Sequence, residues 1–363
     1  MMKKINVHPF SMVKWSGLIL LLTILNGCNS TTSKTIVNPT ALSSPTSSPS
    51  LSPTIVASSP VTPTVPAPNQ VSPSPSVKLD EKPFRFIVMG DSRGSSNGTN
   101  EKILRDLMKQ VKAESPSPSF LLFTGDQVSG GADVSGQLSS WINIVDDYFP
   151  ITTIFPSLGN HEHDEKAFSQ AFPSLPNEQL KGYGRTAYSF DYGNTRFITL
   201  NSNRKNIAQK YIITAEQKVW LEIQLKTNPK QHTFVQFHVP PYPNGAHLGG
   251  SLDAEPVSRD DLWAIFDRYN VTAVLVGHEH NYNRRKVNNH FNGNGYSFAN
   301  EIFQLTIGGA GAPLYSANKE NKQVVVGPKA TYHYMVVDIN GKKASFKVFD
   351  LLHNELDSFV VER

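Results

Sequence analysis

Short apolar runs alternate with helical patterns over the middle of the chain, and this alternation restricts the possible folds more than any other feature. The runs are rich in β-branched and aromatic residues and end at Gly, Pro or Asn, which predicts strands. The predicted strands are 84–89, 119–124, 151–155, 195–200, 232–237 and 271–276. The predicted helices are 99–113, 136–148, 214–226 and 258–269. Thr99 and Thr214 are the expected N-caps of two of these helices.

After residue 295 the pattern changes to strands only. The later predicted strands are 302–307, 332–339, 344–350 and 357–362. Nearly continuous apolar strands that alternate with helices are typical of a mainly parallel sheet covered on both faces. The all-strand segment predicts a second, more antiparallel sheet packed on the first. The expected fold class is therefore α/β.

Five of the earlier runs are followed by residues that bind metal ions in proteins. Ligands gather outside the carboxyl ends of strands in open α/β sheets. Glycine comes directly before four of these sites, where it lets the chain turn sharply beside a bound group. We therefore expect one shared site built from Asp91, Asp126, Asn160, His161, His238, His278 and His280.

The chemical types of these side chains favour particular metals. Carboxylate, amide and imidazole groups without thiolate suit Fe, Mn or Zn better than Ca or Mg. The only cysteine, Cys28, excludes a cysteine-built metal site and an internal disulfide. Three oxygen ligands and three histidines exceed what one metal ordinarily takes, so two metal ions are predicted. Paired metals about 3.5–4 Å apart clamp a phosphate and supply hydroxide near neutral pH.

Residues 84–350 resemble the calcineurin-like metallophosphoesterases, specifically the purple-acid-phosphatase-like branch. Besides the five strand-end motifs, the resemblance is carried by "YSFDYGNTRFITLNS" (188–202), "TAEQKVWLEIQL" (214–225), "GHEHNYNRR" (277–285) and "IGGAGAPLY" (307–315). It implies a metallophosphoesterase-type sandwich of two mixed β-sheets flanked by helices (α/β/β/α). It also implies a hydrolase, similar to acid phosphatases, that cleaves a small phosphomonoester by attack of metal-bound hydroxide.

The resemblance assigns roles to single residues. Asp126 would bridge both metals. One metal would be held by Asp91, Asp126 and His280, and the other by Asp126, Asn160, His238 and His278. His161 and His247 would face the leaving oxygen, and either could protonate it, which is worth about 10²–10⁴-fold in rate.

Two positions depart from the family pattern. Ser129 stands where purple acid phosphatases have a tyrosine, and Arg93 stands where other branches have a histidine ligand. Arginine stays protonated and cannot bind a metal, so weaker occupancy of the first metal position and no purple colour are expected. Arg93 has two interpretations: bidentate contact with a phosphate oxygen, as a catalytic group, or a surface pair with a neighbouring acid.

Residues 1–28 are typical of a bacterial lipoprotein signal peptide, with lysines, a short apolar run and "LNGC" ending at Cys28. Cys28 is the expected lipidation site. Residues 29–78, rich in Ser, Thr and Pro, predict a disordered linker, and residues 79–363 the catalytic domain. We therefore expect an exported lipoprotein anchored to a membrane, periplasmic or on the cell surface.

Two other functions remain open on the sequence. One is a phosphodiesterase acting on cyclic nucleotides or nucleic-acid ends, with the pocket for its second ester arm in loops 92–98, 129–136 and 242–257. The other is a non-catalytic binding lipoprotein with a degenerate metal site. Three lysines of residues 1–28 account for most of the +4 net charge, so charge gives no sign of a nucleic-acid partner. No sequence feature indicates a protein partner.

Overall fold

The computed structural model describes residues 82–94, 97–289, 291, 297–315 and 324–363. The predicted signal peptide with Cys28 and the predicted linker lie outside the described residues. The strands are β1 (Phe84–Met89), β2 (Phe120–Phe123), β3 (Ile154–Pro156), β4 (Tyr188–Tyr192), β5 (Thr195–Thr199), β6 (His232–Gln236), β7 (Ala273–Val276), β8 (Tyr282–Val287), β9 (Ile302–Ile307), β10 (Val324–Lys329), β11 (His333–Asn340), β12 (Lys343–Asp350) and β13 (Glu355–Glu362). The α-helices are α1 (Glu101–Ala113), α2 (Val134–Asp146), α3 (Glu165–Ala171), α4 (Ala215–Thr227) and α5 (Pro256–Arg268).

The strands form two mixed sheets. The six-stranded sheet has the order β13-β12-β11-β1-β2-β3, and the seven-stranded sheet has the order β10-β8-β9-β7-β6-β5-β4. β1, β2 and β3 are parallel, and so are β5, β6, β7 and β9. The remaining strands run antiparallel to their neighbours. The predicted sandwich of two mixed sheets is confirmed.

The expectation that the later strands form a sheet of their own is wrong. β9 joins the parallel strands beside β7, and β11 pairs with β1 from Phe84↔Ile339 to Val88↔Met335. β1 is almost wholly buried, so its free edge requires a hydrogen-bonding partner, and β11 supplies it. The six predicted early strands are consequently divided between two sheets.

The core between the sheets is aromatic. Phe86 of β1 stacks on Phe120 of the same sheet at 5.4 Å between ring centroids. Its ring also meets the edges of Phe197 and Phe234, which belong to the other sheet, at 5.1 and 5.2 Å. Side chains alternate along a strand, so Ile87 and Met89 point the opposite way and belong to the core that includes α1 and α2. α4 and α5 belong to the corresponding core on the other side.

The helix ends show where sequence patterns mislead. Thr214 caps α4 as predicted, its side chain accepting from the backbone N–H of Gln217. Thr99 is not the cap of α1; the cap is Asn100, whose side chain accepts from Ile103 N–H. Thr99 is instead buried and bridges to Arg93.

Four short or polar elements, α3, β4, β8 and β10, were not predicted as separate elements.

Among the described residues, no helix is both long enough and apolar enough to cross a membrane.

An ion pair joins β13, an edge strand of the six-stranded sheet, to β8, the strand next to the edge of the seven-stranded sheet. Asp357 of β13 accepts from the Tyr282 hydroxyl at 2.6 Å and from two nitrogens of Arg284 at 2.8 and 3.1 Å, both residues being on β8. The Asp357 side chain is only 6% exposed, so its charge depends on these partners.

Replacing Asp357 with alanine should lower the free energy of unfolding by about 3–5 kcal/mol, because a buried arginine loses its counter-charge. Urea unfolding of the purified protein measures this. The control is Glu362→Ala on the same strand, whose pair with Lys343 is exposed on both sides. That change should cost less than about 1 kcal/mol. Equal effects of the two changes would contradict the structural role of Asp357.

The buried imidazole of His333 should make stability depend on pH. Burial lowers the pKa of His333 from 6.5 to about 4, and its Nδ1 lies 2.8 Å from the Thr331 carbonyl oxygen. The unfolded chain therefore binds this proton first, so stability is lost as pH falls from 6.5 towards 4. Between pH 7 and pH 5 the loss from this residue should be about 2 kcal/mol, measured by urea unfolding. His333→Phe should show a correspondingly smaller pH dependence; an identical dependence would exclude this assignment.

Candidate metal centre

Five strand ends meet at one point, as the sequence predicts. β1, β2 and β3 of the six-stranded sheet lead to Asp91, Asp126 and the pair Asn160–His161. β6 and β7 of the seven-stranded sheet lead to His238 and to the histidines at 278 and 280. The centre is therefore shared between the two sheets.

Hydrogen bonds tie Asp91 both to its own sheet and to the seven-stranded sheet. The Asp91 carboxylate accepts from the backbone N–H of His278 at 2.9 Å, and the Asp91 N–H donates to the Gly125 carbonyl at 2.9 Å. Asp91, Asp126 and His278 all have positive φ, at 61°, 50° and 69°. Such conformations are costly for residues with side chains and cluster at functional sites.

The glycine before Asp126 is required by close packing. Gly125 has φ +94°, and a Cβ on it would lie 2.6 Å from Nδ1 of His238. A side chain here would therefore displace His238. The "GD" pattern of the sequence thus reflects both a turn and a close approach.

His238 lies at the middle of a group of lone pairs. Its Nδ1 lies 2.8 Å from the Thr124 carbonyl oxygen, so Nδ1 carries the proton and Nε2 is left with a lone pair. Nε2 lies 2.9 Å from Asn160 Oδ1, 3.2 Å from Asp126 Oδ1 and 3.2 Å from His278 Nδ1. These four atoms match the side chains predicted for the second metal.

His280 and Asp91 form the other half of the centre. Nδ1 of His280 donates to the Pro313 carbonyl at 2.6 Å, and its Nε2 points to Asp91 Oδ1 at 3.5 Å. A backbone carbonyl that fixes the second ring nitrogen is typical of metal-binding histidines. Both His238 and His280 have this arrangement.

Burial produces strong electrostatic effects at the centre. Burial, and then the Asp126 charge, raises the pKa of Asp91 well above its ordinary range. Burial would also raise the pKa of Asp126, but attraction to the His238 ring, when that ring is protonated, outweighs burial and holds this pKa below the ordinary value. Burial lowers the pKa of His280 to about 4 and that of His278 well below its usual value, so both rings are neutral bases.

These observations test whether the residues fit a metal. Oδ2 of Asp91 is buried without a hydrogen-bonding partner, beside a second carboxylate. Asp91, Asp126 and His238 each place a ligand atom within 4.8 Å of the other two. Imidazole nitrogens beside paired carboxylates, one of which keeps an oxygen without a hydrogen-bond donor, are the donor set of a transition-metal site, so the residues fit. All six predicted ligands are brought together, while their individual ligand roles stay predictions.

Arg93 is only 20% exposed, so its expected surface location is wrong, whereas the expected pairing with a neighbouring acid is present, at Asp126. Its Nε lies 3.8 Å from Oδ2 of Asp126, and its Nη2 donates to the Tyr315 hydroxyl at 3.0 Å. Ser129, at the other unusual position, turns its hydroxyl to the carbonyl oxygens of Gly94 and Gly98, at 2.9 and 3.2 Å.

The two predicted proton donors stand on either side of the centre. His161 lies with Nδ1 3.0 Å from the Ser129 carbonyl oxygen and Nε2 3.9 Å from Asp126 Oδ2. His247 stacks on His278 with ring centroids 3.9 Å apart. Both side chains are about one-third exposed and accessible to a substrate.

Buried glutamates support these loops. Glu279 accepts from the backbone N–H of Ala246 and His247, and its Oε2 lies 3.5 Å from His247 Nδ1. Glu162 accepts from Val128 and Gly159 N–H, and burial raises its pKa to about 8. Each glutamate is the middle residue of an "HEH" sequence, at 161–163 and 278–280.

Two tyrosines at the centre were not predicted. Tyr315 stacks on His280 at 4.2 Å, and Tyr211 meets the edge of His278 at 6.2 Å between ring centroids. Lys205 places its ammonium 4.6 Å from the Tyr211 ring centre. Tyr315 ends the motif "IGGAGAPLY", which could have identified it, whereas Tyr211 follows no strand and carries no motif.

Comparison with known families identifies a match over more than half of the chain. The sequence model of the family described as Calcineurin-like phosphoesterase matches residues 84–282. This range contains all six predicted metal ligands.

Two curated proteins are similar in sequence. A 3′,5′-cyclic-nucleotide phosphodiesterase of Nostoc sp. is 28% identical over 211 residues, which cover 57% of this chain and 72% of the relative. The Arabidopsis thaliana protein named Probable inactive purple acid phosphatase 24 is 26% identical over 267 residues, which cover 63% of this chain and 41% of the relative. The chain therefore spans less than half of the length of the plant protein.

Solved structures share the fold. A purple acid phosphatase from yellow lupin (Lupinus luteus) gives a TM-score of 0.61 at 18% identity, over 78% of this chain and 54% of that chain. A dimetal phosphatase from Danio rerio gives a TM-score of 0.54 at 13% identity, over 77% of this chain and 98% of that chain. The predicted resemblance to purple acid phosphatases is confirmed at the level of the fold.

Proposed function

The chain belongs to the calcineurin-like phosphoesterase family and is a hydrolase of phosphoester bonds, and from that premise we propose that it cleaves a small-molecule phosphomonoester at a two-metal centre. The observation that carries this proposal is the partnerless buried carboxylate oxygen of Asp91 beside the lone pairs grouped around His238. Such a group of buried acceptors is stabilised by bound cations.

The proposed metal positions follow the two halves of the centre. Asp91 and His280 would hold one ion, Asn160, His238 and His278 the other, and Asp126 would bridge them. Fe, Mn or Zn ions bound there would neutralise phosphate charge and activate water as the nucleophile. The backbone hydrogen bonds to Asp91 and Asp126 hold these carboxylates in place before any substrate binds.

The proposed proton donors are the two partly exposed histidines, His161 and His247. His161 has its Nδ1 proton directed to the Ser129 carbonyl, so Nε2 faces the centre and can carry a second proton to a leaving oxygen. His247 is placed by Glu279, which accepts from the His247 backbone N–H at 2.9 Å and lies 3.5 Å from its Nδ1. We assign leaving-group protonation to His161, with His247 contacting the substrate on the opposite side.

A phosphodiester is the second candidate substrate. The Nostoc relative is named as a cyclic-nucleotide phosphodiesterase. Tyr211 adds an aromatic face beside His278 on which the second ester arm of a diester could stack. In that case, part of the pocket for this arm would lie in the segment after β5, outside the three loops expected to form it.

The proposal includes export as a lipoprotein, which rests on the sequence around Cys28. A membrane anchor followed by a Ser/Thr/Pro-rich tether would hold the catalytic domain outside the cytoplasmic membrane. In a bacterial host fed an alkyne fatty acid, the chain should be labelled and sediment with membranes, whereas Cys28→Ser should be unlabelled. Equal labelling of both would exclude Cys28 as the anchor.

The function is tested by hydrolysis of a chromogenic phosphomonoester and the matching diester after metal removal and resupply with Fe, Mn or Zn. Monoester turnover should require metal and fall at least roughly 100-fold in Asp126→Asn, which retains the side-chain shape but loses the bridging charge. Asp106→Asn, on the outer surface of α1, is the control and should retain activity.

The ratio of the two substrates decides between the candidates. A diester rate above the monoester rate, reduced by Tyr211→Ala, would replace the monoester proposal by the phosphodiesterase. No turnover of either ester with any metal would favour the non-catalytic binding protein.

A further inference from the structure

We propose that Arg93, held in place by Tyr315, is a resident cation of the first metal position: it contacts phosphate there and makes this position bind metal more weakly than the second. The inference rests on the proposed two-metal function and extends it to the roles of two residues. Arg93 would be a catalytic residue that touches the phosphate, and Tyr315 a positioning residue.

The position of the guanidinium supports this role. Arg93 Nε is buried without a hydrogen-bonding partner. It lies 3.8 Å from Oδ2 of Asp126, the residue predicted to bridge both metals. The other Asp126 oxygen faces His238. The two carboxylate oxygens therefore point to different halves of the centre, and the Arg93 half already contains a fixed positive charge.

Tyr315 restricts where this charge can go. Its hydroxyl accepts from Arg93 Nη2 at 3.0 Å, and its ring stacks nearly parallel on His280, with 14° between the planes. His280 is fixed in turn by the Pro313 carbonyl. His280, a candidate ligand of this half, therefore positions Tyr315, and Tyr315 in turn orients the Arg93 guanidinium. An arginine fixed in this way is preorganised to bind phosphate oxygens.

The first half is also poorer in ligands than the second. Of the six candidate ligands, only Asp91 and His280 belong to this half alone, and the Ser129 hydroxyl is directed away to backbone carbonyls. A like charge within a few ångströms in a buried site disfavours a second cation strongly. Weak metal binding in this half and strong binding beside His238 are the expected consequence.

The test is a calorimetric titration of the metal-free, full-length protein with Mn²⁺, with the bound metal counted by mass spectrometry after desalting. The wild-type protein should show one tight site and a second site at least ten-fold weaker, and retain close to one Mn²⁺ per chain. Arg93→Gln removes the charge, and Arg93→His also supplies a ligand. Both substitutions should reduce the difference in Mn²⁺ affinity between the two sites several-fold. Arg93→His should also retain close to two Mn²⁺ per chain.

Three variants separate charge, position and general damage. Arg93→Lys keeps a positive charge and should keep the wild-type gap. Tyr315→Phe keeps the ring but loses the hydroxyl that accepts from Arg93. It should therefore partly reduce the difference in Mn²⁺ affinity between the two sites and weaken inhibition by inorganic phosphate several-fold. Arg105→Gln, on the outer face of α1, should leave both affinities unchanged.

The outcomes distinguish this inference from the proposed function. Two equally tight sites in the wild-type protein, or an unchanged gap in Arg93→Gln and Tyr315→Phe, would overturn the resident-cation role while hydrolysis of the ester could still stand. The expected metal gap without any turnover would support the role of Arg93 and reject the enzyme. Absence of any Mn²⁺ binding would overturn both.

Discussion

The structure depends on the burial of two carboxylates, Asp91 and Asp126, at the line where the two sheets meet. Like charges in a buried site repel unless a cation or a proton lies between them. His278 and His280 are neutral bases because burial lowers the pKa of both, so these two rings cannot neutralise the pair. A bound cation resolves this conflict, which is why an arrangement that costs stability in the bare chain suits a metal-dependent hydrolase.

The rest of the fold holds this unfavourable group together. The aromatic core around Phe86 holds the sheets together, and the Asp357–Arg284 pair joins β13 of one sheet to β8 of the other. With the sheets fixed, the His278 N–H reaches Asp91 across the junction. The surrounding contacts also stabilise the strained positive φ angles of both residues. The strength of the frame therefore determines how accurately the ligand atoms are placed.

Most strands and the grouping of the candidate ligands were predictable because both follow from local patterns. An apolar strand followed by Gly and Asp or His identifies a strand end with its ligand, and Asp91, Asp126 and His278 all follow this rule. The partition into two sheets was not predictable, because the pairing of β1 with β11 joins residues some 250 positions apart. Thr99 illustrates the same limit: its local pattern suits a helix cap, but tertiary contacts bury it. Tyr211 and Tyr315 were missed since aromatic residues in loops have no period.

The residues proposed for the chemical step and those proposed for substrate specificity lie in different parts of the molecule. Strand ends supply the buried groups that any phosphoester would meet, and these lie in a rigid junction. The groups that differ from the family pattern, Arg93 and Ser129, and the tyrosines at 211 and 315 all sit in connecting segments at the rim. Loops tolerate substitution because few core contacts depend on them. A change of substrate can therefore arise at the rim without disturbing the buried carboxylates. Arg93 is the exception, since it reaches Asp126 from the rim and couples the two parts.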